Sequence, residues 1–584
     1  MSFLGIKPKK QNLIYWLTLI LFIFSVLGGY LGFQQYFIQH GEEFNSLRSI
    51  YRTIQIFTLE GGDLEKPIPW ILHIVRFTAP STAIMAFIMA LLEIFKEQWK
   101  RLGIRRLRNH VVIIGLGTKG KNVLDENIRK NKKVLVIEND PLNPDLESLK
   151  QSRCHHIQGN ANNLDILIRA RITHAESVYL LMGDDTQQVK ASLLIYQLVK
   201  DSNRDKDNPV NCMVHLLKQE FLTTLRSHNL FQNINDGLAL TIFNVYENSA
   251  RELFQESPPD SLGISKESNL FVQILIFGFG QAGEALALQT AITGHYLNRD
   301  TRLPKVVIFD RLASEKEKDF LHRYPSFTDY CEFEAIPFEA NNPQLISTLL
   351  TYLENPDALN SVVLCFDNKT NNMLLGLQID SIENIASGYP FKVFIRTDDD
   401  EDFAKYSDKI KPYGLPSKVC SKEVIVGGAL DKMAMAVQGD YYQMRRPKPD
   451  FGDRPADVPW ENLPQEYKDS NRKAADHIGV KIRGLGYVIA PEYNEEEEPD
   501  LYTTVTLSKE EIEMLAQLEH VRWMAERLLA GWKHDSVRND KVKRTPYLVD
   551  WKDLDEGTRD YDRGSIENIP NILQKVKLRI AKKN

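Results

Sequence analysis

Two clusters of glycines define the chemistry this chain could do. The stretch His110-Val-Val-Ile-Ile-Gly-Leu-Gly-Thr-Lys-Gly120 places Gly115, Gly117 and Gly120 at the G-x-G-x-x-G spacing, directly behind four apolar residues, Val111 to Ile114. That run is too short for a helix and fits a parallel strand buried on both faces. In this spacing the first glycine lets the chain turn, the second lets backbone approach a pyrophosphate, and the third lets helix pack on strand. The phosphates would sit at the helix N-terminus opened by Thr118, where free amides and the dipole favour negative charge. A second strand, Lys133 to Glu138, then ends on an acid about 20 residues on, where a carboxylate can accept both ribose hydroxyls. Glu138 would also repel the 2′-phosphate of NADP, so NAD(H) or an adenine nucleotide is the expected ligand. The alternative is that Glu138 only caps a solvated strand end.

The same pattern returns. Phe271 to Phe277 runs into Gly278-Phe-Gly280-Gln-Ala-Gly283, and Lys305-Val-Val-Ile-Phe-Asp310 again ends on an acid. Ser361 to Phe366 followed by Asp367-Asn-Lys-Thr echoes Ser177 to Met182 followed by Gly183-Asp-Asp-Thr. Two tandem units therefore fit better than one unit with an insertion, and the second copy either binds a ligand at Gly278, Gly280, Gly283 and Asp310 or keeps only the fold.

After Glu138 the chain alternates a strand at Cys154 to Ile157, a helix near Leu164 to Arg171, a strand at Ser177 to Met182, a helix from Thr186 and a strand at Asn211 to Leu216. This rhythm predicts a doubly wound parallel sheet. Asn160, Gly183 and Asp184 then fall at strand ends, where open α/β sheets bind ligands.

The membrane-facing elements come first in the chain. Leu13 to Phe33 holds no charged residue, and at about 1.5 Å per residue it reaches about 30 Å, the thickness of the hydrocarbon core. A cleaved signal peptide is the rival, but the run is too long and no small-x-small site follows closely. Trp70 to Leu92 forms a second span with His73 and Arg76 near its start. Lys7, Lys9 and Lys10 precede the first span, while Lys96, Lys100, Arg101, Arg105, Arg106 and Arg108 follow the second. Both ends should face the cytoplasm, with the acidic loop 40–68 outside, in a cell or inner membrane.

This layout resembles two-span potassium channels that carry a cytoplasmic RCK (TrkA-N) domain. In those channels the loop holds a T-V-G-Y-G filter; here the matching stretch is Thr53-Ile-Gln-Ile-Phe-Thr-Leu-Glu-Gly-Gly62, a short helix and turn without that filter. The segments Gly159-Asn-Ala161 and Gly183-Asp-Asp-Thr186 also resemble the RCK family, where the first is usually Gly-Asp-Ala and Asn160 replaces the acid. A duplicated RCK pair resembles subunits of paired or ring-shaped gating assemblies.

Leu518-Glu-His-Val-Arg-Trp-Met-Ala-Glu-Arg-Leu-Leu-Ala-Gly-Trp532, Pro546-Tyr-Leu-Val, Leu554 and Asp560-Tyr-Asp-Arg563 resemble the RyR domain of ryanodine receptors, found singly in bacterial proteins. Trp460-Glu-Asn-Leu-Pro and Ser470 to His477 look like its start. Glu519, Arg522, Trp523 and Glu526 share a helix face by the three-and-four spacing. Either Arg522, Trp523, Arg538, Lys543 and Arg544 bind a phosphorylated ligand beside Glu519 and Trp532, or the tryptophans are core and the charges pair among themselves.

The resulting architecture is two transmembrane helices plus α/β, two tandem Rossmann-like doubly wound sheets and a small mainly α C-terminal domain. Its expected boundaries are 1–100 for the hairpin, 101–255 and 256–443 for the two RCK-like units, 444–458 for a proline-marked linker and 459–584 for the RyR-like domain. A helix near Lys422 to Val437 could cross to a partner subunit. A net charge of -6 gives no pull toward nucleic acid, and no nucleic-acid partner is expected. The five cysteines hold no C-x-x-C pair and read as reduced buried thiols without a metal site. The expected function is non-enzymatic, a nucleotide-regulated, channel-like effector that needs a homo-oligomer, dimer or tetramer, because two spans cannot enclose a pore. A plain membrane anchor with a partner-recruiting sensor, and an NAD-dependent oxidoreductase, are the alternatives.

Overall fold

The computed structural model describes residues 8–583 apart from 44, 61–63, 66, 152–153, 203, 219–220, 222–236, 340–343, 383–390, 398–409, 421–430 and 493–501. It divides into two units, Met1–Arg106 and Leu107–Asn584.

In the first unit two helices, Pro8–Gln39 and Trp70–Ile94, are long and apolar enough to cross a membrane. Their flanks leave Trp16, Leu17, Ile20, Phe77 and Phe87 uncovered by protein, as lipid-facing side chains would be. Where the helices meet, Ser25 and Thr78 hydroxyls hydrogen-bond at 2.9 Å, Gly32 lies against Leu72, and Phe33, Phe37, Leu72, Val75 and Ala79 form an apolar cluster. Between them a short helix, Ser46–Phe57, is capped by Asn45 and buries Ser49, Thr53 and Ile56. The helix expected from Thr53 starts earlier, at Ser46, and ends at Phe57; Gly61 and Gly62 of the turn lie outside the described residues.

The second unit contains two six-stranded parallel sheets. The first comprises β1 (Val111–Ile114), β2 (Val134–Glu138), β3 (His155–Gln158), β4 (Ser177–Leu180), β5 (Val210–His215) and β6 (Leu238–Phe243) in the order β3-β2-β1-β4-β5-β6. The second comprises β7 (Phe271–Phe277), β8 (Lys305–Asp310), β9 (Glu332–Pro337), β10 (Ala358–Leu364), β11 (Phe391–Arg396) and β12 (Ile410–Tyr413) in the order β12-β11-β10-β7-β8-β9. Numbered within its own copy, each reads 3-2-1-4-5-6, the dinucleotide-fold order whose switch point lies between strands one and four. Register aligns the carboxyl ends there, with Ile114 opposite both Ile137 and Leu180. Pro337 and Pro412 fall only on the outer strands β9 and β12, where a missing N–H breaks no ladder.

The remainder is mainly helical and includes Lys432–Arg445, Gln465–Asp476, Ile478–Gly484, Lys509–Leu529, Glu556–Glu567 and Ile569–Lys575. It also holds a three-stranded antiparallel sheet of Val488–Pro491, Leu578–Lys583 and Tyr502–Thr504, whose strands are too short to leave a period-two signal in the sequence. Of the Ala- and Met-rich helix expected near Lys422 to Val437, residues 422–430 lie outside the described residues; the described part, Lys432–Arg445, packs Ala434 against Trp460, Leu463 and Ala475, so within this chain its partner is the C-terminal module. Residues 444–458, expected as a linker, are folded back: buried Arg445 forks onto Asp457 at 3.0 and 3.1 Å and reaches Asp450 at 2.9 Å. Among the described residues no cysteine forms a disulfide; Cys212, Cys331, Cys365 and Cys420 are buried and Cys154 is half-buried.

Candidate functional site

The glycine loop after β1 is shaped as the spacing requires. Gly115 has φ +93°, and a Cβ there would stand 3.0 Å from the Leu181 carbonyl oxygen. A Cβ on Gly120 would lie 2.0 Å from the Gly115 carbonyl oxygen, so the helix Thr118–Arg129 can approach the strand only without a side chain there. Gly117 is the N-cap, and no atom lies within 4 Å of where its Cβ would be. That open space continues into a cleft of about 770 Å³ lined by the loop, Glu138, Gly159, Asn160, Gly183 and Asp184. Glu138 is held at the rim, its Oε2 accepting from the Leu116 amide at 2.7 Å and its Oε1 from the Asp140 amide at 2.9 Å. Asn160 Oδ1 accepts from the Asn162 amide at 2.9 Å, and Asp184 caps the following helix through the Gln187 amide at 2.9 Å. The cleft thus gathers Gly115, Gly117, Thr118, Glu138, Asn160, Gly183 and Asp184; Gly120 stands behind it as the packing glycine.

The opposite wall was not foreseen. It is made by Tyr246 and Ser249 on the helix Val245–Glu256, and by Arg396, Gly414, Val419 and Cys420 from the second sheet and the segment after it. After β12 the chain crosses back to the first sheet. Asn248 Nδ2 donates to the Val419 carbonyl at 3.1 Å, the Gly414 amide donates to Glu252 at 3.2 Å, and Val419 and Cys420 join the core that surrounds Val111 and Leu116. Sequence carries no local signal for this, because Tyr246 stands 131 and Arg396 281 positions beyond Gly115.

The second fingerprint has the same backbone and different occupancy. Asp310 accepts from the Phe279 amide at 2.8 Å and the Leu312 amide at 3.0 Å, but Lys316 Nζ also donates to it at 2.7 Å. Burial pushes this carboxyl up, yet those bonds hold it below the usual carboxylate range. Its charge is already matched within the copy. Gly283 packs on the Gly278 carbonyl, where a Cβ would lie 2.6 Å away, while Gly280 faces open space.

In the C-terminal module the polar face of the helix Lys509–Leu529 points inward. Arg522 is 1% exposed and its guanidinium donates to Glu519 at 2.9 Å and to Glu526 at 2.8 Å. Buried Lys481 adds a bond to Glu519 at 2.6 Å. Burial pulls the Arg522 group down, but the two carboxylates outweigh it and raise it. Of the two readings of this face, the geometry at Arg522 is that of internal pairing, because a buried cation needs matched charge. Trp532 is buried with its indole N–H 3.2 Å from Glu466, and Trp523 stacks beside His520 at 5.9 Å. Arg538 is exposed and pairs with Asp540 at 2.7 Å, Arg544 lies in a two-residue strand pair, and Lys543 donates to the Ala530 carbonyl at 2.9 Å. The expected cationic cluster is therefore dispersed. Glu466, Glu526, Ala530 and Lys543 line a smaller cavity of about 130 Å³, shared with Arg251, Gln289 and Lys473, where the module meets both sheet units.

Comparison with known proteins agrees with parts of this architecture. The TrkA-N domain model matches residues 111–219 and the RyR domain model matches residues 502–582; neither match covers the second sheet or residues 459–501. No curated protein matches the chain significantly. Among solved structures the chain is similar to the crystal structure of GsuK bound to ADP, at 16% identity over 70% of this chain and 96% of that one, with a TM-score of 0.38. It is also similar to the GsuK channel bound to NAD, at 14% identity over 70% of this chain and 82% of that one, with a TM-score of 0.39. At such scores these likenesses assign neither ligand nor activity. The chain carries a TrkA-N domain at residues 111–219 and an RyR domain at residues 502–582.

Proposed function

We propose that this chain is a nucleotide-regulated membrane protein of the ion-channel-like kind, in which NAD(H) or an adenine nucleotide binds the first glycine cleft and biases a two-span membrane region. The observation that carries the reading is the composite cleft: phosphate-binding geometry from the first copy, closed by residues of the second. A ligand seated there contacts both copies, so it can favour one arrangement of them over another, which is the condition for any ligand-driven shift. Glu138 takes the ribose hydroxyls and disfavours a 2′-phosphate. The second fingerprint, with Asp310 already paired to Lys316, serves as scaffold. The spans cross a cell membrane with both flanks cytoplasmic, following the basic residues beside them. The basic helix Lys96–Arg105 then connects the spans to the nucleotide unit, and a dimer or tetramer supplies the pore.

Planar-bilayer recording of the purified full chain tests this directly. Conductance that changes on adding NAD, ADP or ATP supports the channel-like effector. Silence under every ligand, with nucleotide binding intact, leaves the membrane-tethered sensor in its place.

A further inference from the structure

Where the C-terminal module meets the two sheet units, the cavity of about 130 Å³ has an apolar floor and a basic wall. Leu288 and Ile292 on the helix Gln281–Thr293, and Leu529 at the end of Lys509–Leu529, supply buried apolar surface. Lys473, on the helix Gln465–Asp476, and Lys543 supply the charge. No residue lines both this cavity and the first glycine cleft.

The carboxylates around the cavity are already engaged. Glu526 accepts from Arg522 at 2.8 Å, Glu466 from Arg527 at 3.3 Å and Asp469 from Arg472 at 2.8 Å; Glu247 has a partner as well. The two lysines are not matched in that way. Among the described residues Lys473 makes no hydrogen bond and no ion pair within 4.0 Å. Burial alone would raise the Glu526 carboxyl, and Lys473, Arg522 and Arg527 together hold it low, so one carboxylate is shared among three cations. Lys543 donates to the Ala530 carbonyl at 2.9 Å, which leaves its ammonium further donors. Burial lowers this ammonium; Glu466 raises it, while Arg527 and Lys473 lower it again. Crowded, partly desolvated cations with unspent donors gain from a bound anion.

Lys543 also holds left-handed backbone, φ +54° and ψ +58°, which glycine or asparagine adopts at less cost. A costly backbone conformation where a cheaper residue would serve points to the side chain.

We propose that this cavity is a second ligand site, for a small molecule that joins a phosphate group to an apolar body. Lys473 and Lys543 take the phosphate, whose charge of nearly two suits a pair of ammonium groups, and Leu288, Ile292 and Leu529 take the body. The site does not depend on the nucleotide reading of the first cleft.

The test is calorimetry on the full chain in detergent, with phenyl phosphate as the probe and ADP added beforehand in excess to fill the first cleft. Saturable binding of phenyl phosphate is expected, with benzoate and inorganic phosphate each at least fivefold weaker. K473M and K543M should each weaken phenyl phosphate at least fivefold, while R538M, at an exposed arginine outside the cavity, stays within twofold of wild type. Should K543M fail to fold, as judged by ligand-free thermal unfolding, K543G, which keeps the left-handed backbone, carries the same comparison. Absence of binding, or binding that both lysine variants leave unchanged, would overturn the proposal and reduce Lys543 to a cap on the Ala530 carbonyl. Benzoate or inorganic phosphate binding as tightly as phenyl phosphate would overturn it too. Failure of ADP itself to bind would count against the first cleft and leave the lysine comparison readable.

Discussion

Arg251 forks onto Asp476, Nε to Oδ2 at 2.7 Å and Nη2 to Oδ1 at 3.0 Å, with both side chains under 10% exposed. The pair joins the helix that closes the first sheet to the C-terminal module across 225 positions of sequence. Asp431, 3.3 Å from Arg251 and also held by Arg472, completes the cluster.

Removing one partner of a buried pair leaves an uncompensated charge. D476N should therefore lower stability by about 3–5 kcal/mol, read as a fall in the thermal midpoint of the full chain. R251M combined with D476L should recover much of that loss, since apolar replacement of a whole buried pair is often close to neutral. A midpoint unchanged in D476N would show that the two parts do not depend on this contact.

The buried charges around Arg522 make a contrasting prediction. R522M leaves Glu526 without its buried cation and Glu519 with Lys481 alone, and should destabilise by a similar amount, about 3–5 kcal/mol. ADP affinity at the first cleft, measured below the unfolding range, should stay within twofold. A selective loss of nucleotide affinity with unchanged stability would restore Arg522 as a ligand residue.

His477 gives a pH dependence with a definite sign. It is fully buried, bonded through Nε2 to the His295 carbonyl at 2.9 Å. Burial, with Lys481 beside it and against the pull of Glu519, lowers it to about 4. Because the unfolded histidine titrates near 6.5, the unfolded state binds the extra proton first, and stability is lost as pH falls from about 6.5 to about 4, by as much as about 3 kcal/mol. H477Q, which can keep a donor toward His295, should show a shallower fall of thermal midpoint over that window. Parallel curves would mean that His477 is already charged in the fold.

Gly117 and Gly120 should separate binding from folding. G120A forces a Cβ into the Gly115 carbonyl and should lose both stability and ligand. G117A meets no atom within 4 Å and should cost at most about 1 kcal/mol, the difference between glycine and alanine at an N-cap. It should nevertheless weaken ADP markedly, because its methyl group occupies the phosphate's approach. Normal ADP affinity in G117A would place the phosphates elsewhere.

These contrasts also mark what the sequence could disclose. The strand-turn-helix at Val111 to Gly120 was legible because glycine spacing, a buried run and Glu138 are local and mutually consistent signals. The repeat at Phe271 was legible for the same reason. Residues whose role depends on distant chain were not: Arg396 reaches the cleft from the end of β11, and Val419 through the crossover after β12. The Lys509–Leu529 helix was ambiguous in a different way, open to a ligand-binding or an internally paired face. Its three-and-four polar stripe is usually a solvated face, but the module covers it and satisfies Arg522 with two glutamates. Spacing reveals which residues share a face, and only packing reveals which way that face turns.

The central claim, a nucleotide held by the first glycine loop with its ribose on Glu138, is tested most directly by titrating the full chain with NAD, NADP and ADP in a calorimeter. The account predicts saturable heat for NAD and ADP at one site per chain, NADP at least tenfold weaker than NAD, and the NAD preference narrowed in E138Q. Absence of heat and of thermal shift with all three ligands would contradict it.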